Sequence, residues 1–167
     1  LTGDLNDNYI NETKNYITQK ALQECSLQLN PKGTVLIAMY GATIGKLAII
    51  NMETTTNQAC CACNLFLNLC NKYLFYYLMA LRNHFKKIAE GGAQPNISRE
   101  KIIKNFIAIP PIDEQIRIAK KIEEILPYIE EYQEKNKNLE NLNSSYKEEL
   151  KKSILQYAIQ GKLVKQN

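Results

Sequence analysis

The sequence predicts an α+β protein, in which a small mixed α/β domain is followed by a long helix of the coiled-coil type. Two observations carry this prediction. Up to residue 109, short β-branched and apolar runs alternate with turn residues. After Pro110 and Pro111 the chain is charged and periodic, and it holds no Gly until Gly161. Because the composition changes at the two prolines, we expect domains at residues 1–109 and 110–167.

Three apolar runs in the first domain predict strands. Residues 33–40 and 46–50 are rich in β-branched side chains, and the short link between them is bounded by Gly at both ends. We therefore expect these two runs to form a hairpin-like pair around residues 41–45. Residues 58–67 predict a third strand, and its lack of alternation favours a central place in the sheet.

The rest of the first domain predicts two helices and one more strand. Residues 72–88 carry apolar side chains at helical spacing and predict a single helix. Ser98 is placed to cap a short helix over residues 99–104. Residues 106–109 predict a strand. Residues 1–30 are polar with scattered Tyr and Ile, and we expect them to be mostly loop.

The second domain predicts one long helix from about Ile112, with apolar side chains repeating every three or four residues. Pro127 lacks a backbone donor and predicts a kink, and a helical hairpin turning within residues 136–145 is an alternative. A helix of roughly 70 Å cannot bury its apolar stripe on a small domain, so we expect a second long helix to pack against it. The seam of this helix comprises Ile118, Ile122, Ile125, Ile129, Tyr132, Leu139, Leu142, Tyr146, Leu150 and Ile154.

Cysteine content and charge restrict the class of protein. Five cysteines, an odd number, are typical of reduced thiols in a cytoplasmic protein. Cys60 and Cys63 have metal-ligand spacing, but their apolar neighbours favour a buried strand, and we expect no metal site. Residues 1–109 hold 11 Lys and Arg against 7 Asp and Glu, whereas residues 110–167 hold 10 of each. The positive excess lies in the first domain and suits a polyanion partner.

The familiar catalytic motifs do not fit this sequence. Residues 41–46 have only three residues between their glycines, and Leu47 follows the lysine, so they are not a P-loop. Pro110 and Pro111 lack the flanking residues with which an amino-methyltransferase holds a flipped base. The single histidine, His84, weakens any model with a histidine-activated nucleophile. We expect a non-catalytic protein with no cofactor and no membrane span.

Four segments together resemble the specificity (S) subunit of type I restriction–modification enzymes. They are GTVLIAMYGATIGK at residues 33–46, GGAQPNIS at 91–98, PPIDEQIRIA at 110–119 and SILQYAIQGKLV at 153–164. Each segment is weak evidence by itself, but their order and spacing are specific, and the resemblance covers nearly the whole chain.

The resemblance implies a function in DNA recognition. S subunits contain two target recognition domains, which read the halves of a split site on double-stranded DNA. They also contain two long helices, which pair antiparallel as a spacer and hold the methyltransferase (M) subunits of a complex that includes restriction (R) subunits. This chain has one domain of each kind, and its recognition domain, residues 1–109, lacks the usual opening segment. We therefore expect either the C-terminal part of a full subunit or a half-length subunit, and a homodimer in isolation.

The candidate DNA contacts come from two loops and from the N-terminal segment. Carboxamide side chains can bond adenine edges, arginine can bond guanine, and lysines and helix N-termini bind phosphate. Turn, cap and bracing roles remain open alternatives for each of these residues. The candidates are Lys14, Tyr16, Lys20, Tyr40, Thr43, Lys46, Gln94, Asn96, Ser98 and Arg99.

Two other functions are compatible with the sequence. The first is a coiled-coil assembly module whose globular part binds protein rather than DNA. The second is the recognition portion of a fused restriction–methyltransferase, of which this chain would be a fragment.

Overall fold

A computed structural model describes residues 1–164 of the chain. Its strands are β1 (Asn8–Ile10), β2 (Val35–Ala38), β3 (Leu47–Ile50) and β4 (Cys60–Cys63). Its helices are α1 (Gln19–Glu24), α2 (Asn71–Ala80), α3 (Arg82–Ile88), α4 (Arg99–Ile103) and α5 (Ile112–Ile159). The predicted α+β class, a mixed domain followed by a long helix, is confirmed.

The four strands form one mixed sheet in the order β1-β3-β2-β4. β2 pairs antiparallel with both β3 and β4, and β1 runs parallel to β3. The hairpin-like pairing of the first two predicted strands is confirmed, with Val35 opposite Ile49. Both faces of the sheet are buried, because Val35 and Ile37 belong to one apolar cluster while Leu36 and Ala38 belong to another.

The third strand differs from its prediction in length and place. It covers only residues 60–63 and stands at the edge of the sheet, so the central position predicted for residues 58–67 is wrong. A strand without alternating apolar and polar residues is one that is covered on both faces. The pattern does not indicate whether the strand is central or at the edge of the sheet. Cys60 packs on one face of the sheet and Cys63 on the other, so this C-x-x-C pair does not converge on one point.

The predicted helix over residues 72–88 is divided in two at Leu81. Its apolar stripe is nevertheless the face that packs on the sheet, with Leu74 and Leu78 of α2 and Phe85 of α3 buried. Phe85 is fully buried, and its truncation to Ala would cost about 3–5 kcal/mol by the usual cavity relation.

Residues 106–109 are not a strand, in contrast to the prediction. The Tyr77 hydroxyl donates to the Phe106 carbonyl at 2.7 Å, and the Tyr73 hydroxyl donates to the Ala108 carbonyl at 2.8 Å. Side chains of α2 therefore satisfy carbonyl groups that a neighbouring strand would otherwise take up.

The first 30 residues contain more structure than expected. β1 adds an edge to the sheet, α1 is capped by the Thr18 hydroxyl, and a 3-10 helix covers Thr2–Asp4. Asp7, just before β1, has a φ of 62°, a left-handed conformation that Asp adopts more readily than most residues. Strands and helices this short carry too few residues for a periodic pattern to be recognisable.

The chain divides into two compact units, Leu1–Lys120 and Lys121–Asn167. The first unit extends beyond residue 109 because Gln115 and Ala119, in the first turns of α5, are buried. α5 is continuous through Pro127 and through residues 136–145, so the alternative of a helical hairpin is wrong. No helix within residues 1–164 combines the length and apolar character that a membrane span requires.

Candidate nucleic-acid interface

Three connecting segments meet at one end of the sheet. Ala38 at the end of β2 lies opposite Cys60 at the start of β4, so the loops that follow β2 and precede β4 are neighbours. Met39 joins them to a third segment, because its N–H donates to the Ala59 carbonyl at 2.8 Å and its carbonyl accepts from the Ile97 N–H at 2.9 Å. We call residues 39–46, 56–59 and 90–99 together the loop surface.

The first segment of the loop surface is stabilised by its own hydrogen bonds. The Thr43 hydroxyl donates to the Tyr40 carbonyl at 2.8 Å, which closes a 3-10 turn over Gly41–Thr43. The Gly41 N–H donates to the Pro95 carbonyl at 2.8 Å, and Tyr40 forms a β-bridge with Asn96. Two candidate loops that are distant in the sequence are therefore adjacent in the structure.

Arg82 of α3 stabilises this turn by a side-chain hydrogen bond. Its Nε donates to the Gly45 carbonyl at 2.9 Å, and its guanidinium forms an ion pair with Asp7. The Asp7 carboxylate also accepts from the Leu47 N–H at 3.0 Å. Gly45 has a φ of +78°, and a Cβ atom there would lie 2.9 Å from the Arg82 Cγ atom. Only glycine fits this position without strain, because both the conformation and the contact exclude a side chain.

The 90–99 segment presents carboxamides and then begins α4. Glu90 and Asn96 exchange two backbone hydrogen bonds of 2.9 and 2.7 Å, and Gln94 lies exposed on the loop between them. The Ser98 hydroxyl accepts from the Lys101 N–H at 3.3 Å, which confirms the predicted cap of α4. This hydrogen bond engages the Ser98 hydroxyl as the N-cap of α4.

Arg99 lies exposed at the start of α4 and faces the thiols of β4. The pKa of Cys61 is lowered to about 7, chiefly because the Cys63 thiol donates a hydrogen bond to it, and the nearby Arg99 charge acts in the same direction. The pKa of Cys63 is raised because its proton is held in that hydrogen bond and because the thiol is buried. Arg99 and Cys61 line the same polar groove beside β4, so the positive charge of Arg99 acts on a group inside that groove.

Further positive charge lies along α3 and α4. Lys87 and Lys104 are exposed and line an open groove together with His84. Lys101 lines the same groove, but its ammonium donates to the Ile88 carbonyl at 2.8 Å and pairs with Glu90 at 2.6 Å. α4 therefore separates a polar groove holding Arg99 from a basic groove holding these lysines.

Comparison with known proteins identifies the family. The family model of the type I restriction modification DNA specificity domain matches residues 2–155. The chain belongs to this family. It is 32% identical over 142 residues to the type I restriction enzyme MjaIX specificity subunit of Methanocaldococcus jannaschii, which covers 80% of this chain and 31% of that protein. It is 26% identical over 121 residues to the EcoR124I/EcoR124II specificity subunit of Escherichia coli, covering 70% and 30% respectively.

Two solved structures share the fold of this specificity domain. The HsdS subunit from Thermoanaerobacter tengcongensis has a TM-score of 0.60 at 22% identity, covering 96% of this chain and 36% of that chain. A chain from a study of complex assembly and conformational transition of the type I R-M system has a TM-score of 0.60 at 20% identity, covering 97% and 37%. The specificity domain spans about a third of the length of the curated relatives it matches.

In the described part of the chain, the N-terminal candidates of the specificity domain are not bonded to the loop surface, although Tyr16 lines a cavity that Thr56 of that surface also lines. Tyr16 is 81% exposed and lines a cavity of about 250 Å³ over the sheet face that carries Leu36 and Ile50. Lys20 lies on α1 and forms an exposed ion pair of 3.7 Å with Glu24. Lys14 is exposed. Within residues 1–164, no hydrogen bond or ion pair joins these three candidates to the loop surface.

The apolar seam of α5 is largely exposed. Ile118 and Ile122 are half-buried, and the seam residues beyond them are exposed, with Leu142 at 65%. Within the part of α5 that the structure describes, only Gln115 and Ala119 are buried.

Sequence reasoning missed the residues that hold the loop surface in place. Arg82 and Asp7 act through contacts with residues that are remote in the sequence. The one local signal was the glycine at position 45, whose left-handed conformation marks a close approach of another chain segment.

Proposed function

We propose that this specificity domain reads one half of a split DNA site through the loop surface and catalyses no reaction itself. The observation that carries the proposal is that Tyr40 from one segment meets Asn96 and Arg99 from another on one polar surface. Lys46, exposed at the end of the 40–46 turn, adds a positive charge for the DNA backbone. Membership of the family supports DNA as the ligand.

The exposed seam of α5 supports a second part of the proposal. Apolar side chains at coiled-coil spacing are stabilised when a matching helix covers them. In this proposal a second long helix of the same subunit type packs on the seam, giving a homodimer in isolation. The paired helices then act as the spacer that positions M and R subunits, and the complex works on DNA in the cytoplasm.

A DNA-binding experiment with the full chain tests the proposal. Sequencing of the duplexes that the chain selects from a library with a randomised segment measures sequence preference, and fluorescence anisotropy on a selected duplex measures affinity and salt dependence. We expect the logarithm of affinity to fall linearly with that of salt concentration, by about 0.9 for each phosphate neutralised. The double substitution K46A/R99A is expected to weaken binding by at least about tenfold. K32A is the matched control, because Lys32 is exposed before β2, at the other end of the sheet.

The contrary outcomes separate the alternatives. Binding with neither salt dependence nor sequence preference, even with a methyltransferase subunit present, would overturn the proposal. Loss of self-association in K46A/R99A with DNA binding intact would favour the protein-binding assembly module instead.

A further inference from the structure

The polar groove that holds Arg99 opens beside β4 and has a volume of about 280 Å³. We call it the carboxamide groove and define it by Gln28, Asn57, Gln58, Asn64 and Arg99. Among the described residues that line it, none is Asp or Glu, and Arg99 is the charged one. A groove rich in amide groups and free of carboxylates suits a polyanion that also presents hydrogen-bonding edges.

The carboxamide groove offers unused hydrogen-bonding groups. Gln28, Asn57 and Gln58 are exposed, and their side chains form no hydrogen bond with any residue of the described range 1–164. Asn64 accepts from the Thr34 hydroxyl at 3.1 Å, which leaves its NH₂ group as a donor. Asn30, which also lines the groove, is different: it is buried, and its side-chain amide donates to the Thr54 carbonyl at 3.3 Å.

Backbone contacts hold these groups in fixed positions. The Asn57 carbonyl accepts from the Cys60 N–H at 3.1 Å, which ties the turn to the start of β4. The next residues are tied to β2 by the hydrogen bond from the Met39 N–H to the Ala59 carbonyl. Arg99 is held at the start of α4 by the Ser98 cap. Because the backbone is already ordered, binding has to order only the side chains.

We propose that the carboxamide groove reads base edges in the major groove of the DNA half-site. The chemistry follows from its side chains, because Asn and Gln can bond the N6 and N7 atoms of adenine, and Arg can bond the O6 and N7 atoms of guanine. Asn57 and Gln58 read adenine, and Arg99 reads guanine. This inference rests on the proposed function and adds the residues that determine specificity.

The test measures sequence preference and salt dependence separately in single variants of the full chain. On the randomised duplex library, Asn57→Ala and Gln58→Ala are expected to lose about tenfold to a hundredfold of discrimination at one position each. Their salt dependence is expected to stay at the wild-type value, because they contact no phosphate. Lys46→Ala is expected to weaken all sequences equally and to reduce the salt slope by about one.

A charge-changing variant gives a sharper readout than truncation. Gln58→Glu keeps the shape of the side chain but replaces its NH₂ donor with an acceptor. Since a carboxylate accepts from the N4 amino group of cytosine, the preferred base at that position is expected to change from adenine to cytosine. Asn83→Ala is the matched control, because Asn83 is an exposed carboxamide on α3 outside the groove. Protection of the buried thiols Cys60 and Cys61 from alkylation checks that each variant is folded.

Each outcome decides one of the two proposals. A wild-type chain without sequence preference would refute the proposed function and, with it, this inference. A wild-type preference that survives in every groove variant, while Gln94→Ala or Asn96→Ala abolishes it, would refute the inference alone. Equal weakening on all sequences in the groove variants would also refute it, since that is the behaviour of a phosphate contact.

Discussion

Gln115 is a buried residue in the first turn of α5, which belongs to the first unit. Its side chain has no exposed surface, and it forms three hydrogen bonds. Its carbonyl oxygen accepts from the Cys70 N–H at 2.9 Å, and its amide nitrogen donates to the carbonyls of Asn68 at 2.9 Å and Pro110 at 2.8 Å. The side chain thus ties the start of α5 to the segment that leads into α2.

The substitution Gln115→Leu keeps the volume of this side chain and removes all three hydrogen bonds. The backbone groups of Cys70, Asn68 and Pro110 that it bonds are part-buried, and each one left without a partner costs up to about 1–3 kcal/mol. Burial of the apolar leucine side chain stabilises the folded state by about 1.5–3 kcal/mol and offsets part of this cost. For three groups the cost is about 3–9 kcal/mol, so we expect a net loss of about 1.5–6 kcal/mol, a large part of the total stability of a domain of this size.

Urea unfolding followed by thiol alkylation measures this loss in the first unit. All five cysteines lie between residues 25 and 70, so alkylation of the buried Cys60 and Cys61 reports on the first unit and not on the exposed part of α5. Gln133→Leu, at an exposed position of α5, is the control and is expected to change stability by less than about 0.5 kcal/mol. A change equally small in Gln115→Leu would refute the reasoning.

The substitution Gln115→Glu adds a dependence on pH. One carboxylate oxygen at this position would still accept from the Cys70 N–H, but the other would face the Asn68 and Pro110 carbonyl oxygens. This repulsion and the burial of the charge would raise the pKa of the Glu side chain in the folded state above the unfolded value of about 4.3. The variant is therefore most stable below that value and loses stability as pH rises through the folded-state pKa. A stability that is independent of pH above 4.3, relative to the wild type, would contradict this account.

Three further predictions concern other parts of the molecule. Arg82→Met should lower the free energy of unfolding by about 1–2 kcal/mol and weaken DNA binding, because the Gly45 carbonyl loses its donor. Unchanged urea unfolding and unchanged DNA affinity would contradict this prediction. Leu142→Asp should weaken self-association by at least about tenfold in sedimentation velocity, since it places a charge in the seam; a wild-type chain that stays monomeric at high concentration would exclude the pairing. Cys63→Ala should raise the pKa of Cys61 from about 7, measured by thiolate absorbance, because the thiol donor is removed; a constant pKa would disagree.

Several elements of the fold could be predicted because their causes are local. The pair of strands around residues 41–45 follows from β-branched runs separated by glycines, and the cap of α4 follows from Ser98. The helix α5 follows from a long periodic pattern without glycine. In each element the deciding interactions join residues that are close in the sequence, so the pattern itself carries the information.

Other elements could not be predicted because their causes are remote. Residues 106–109 have the composition of a strand, but hydroxyl groups from α2 take up carbonyl groups of this segment. The helix predicted over residues 72–88 divides at Leu81, although its buried face was correctly recognised. β4 has the buried character expected of it, but its place at the edge depends on which strands pair.

The candidate site shows the same division. Lys46 and Asn96 were recognisable as DNA-contact candidates because they lie beside glycines in polar segments, and their role in binding remains a prediction. Their common surface was not recognisable, because Met39 joins three segments by backbone hydrogen bonds that have no signature in side-chain composition. The carboxamide groove was missed for the same reason, since Gln28 and Asn57 are far apart in the sequence.

The sequence by itself determined the division into a mixed domain and a long apolar-seamed helix, together with the family to which the chain belongs. The tertiary structure alone decided the order of the strands, the bracing of Gly45 by Arg82 and the anchoring of α5 through Gln115. The physical reason is the range of the interactions. Turn, cap and helix preferences act between near neighbours, whereas strand order and buried hydrogen bonds depend on groups that meet only when the chain has folded.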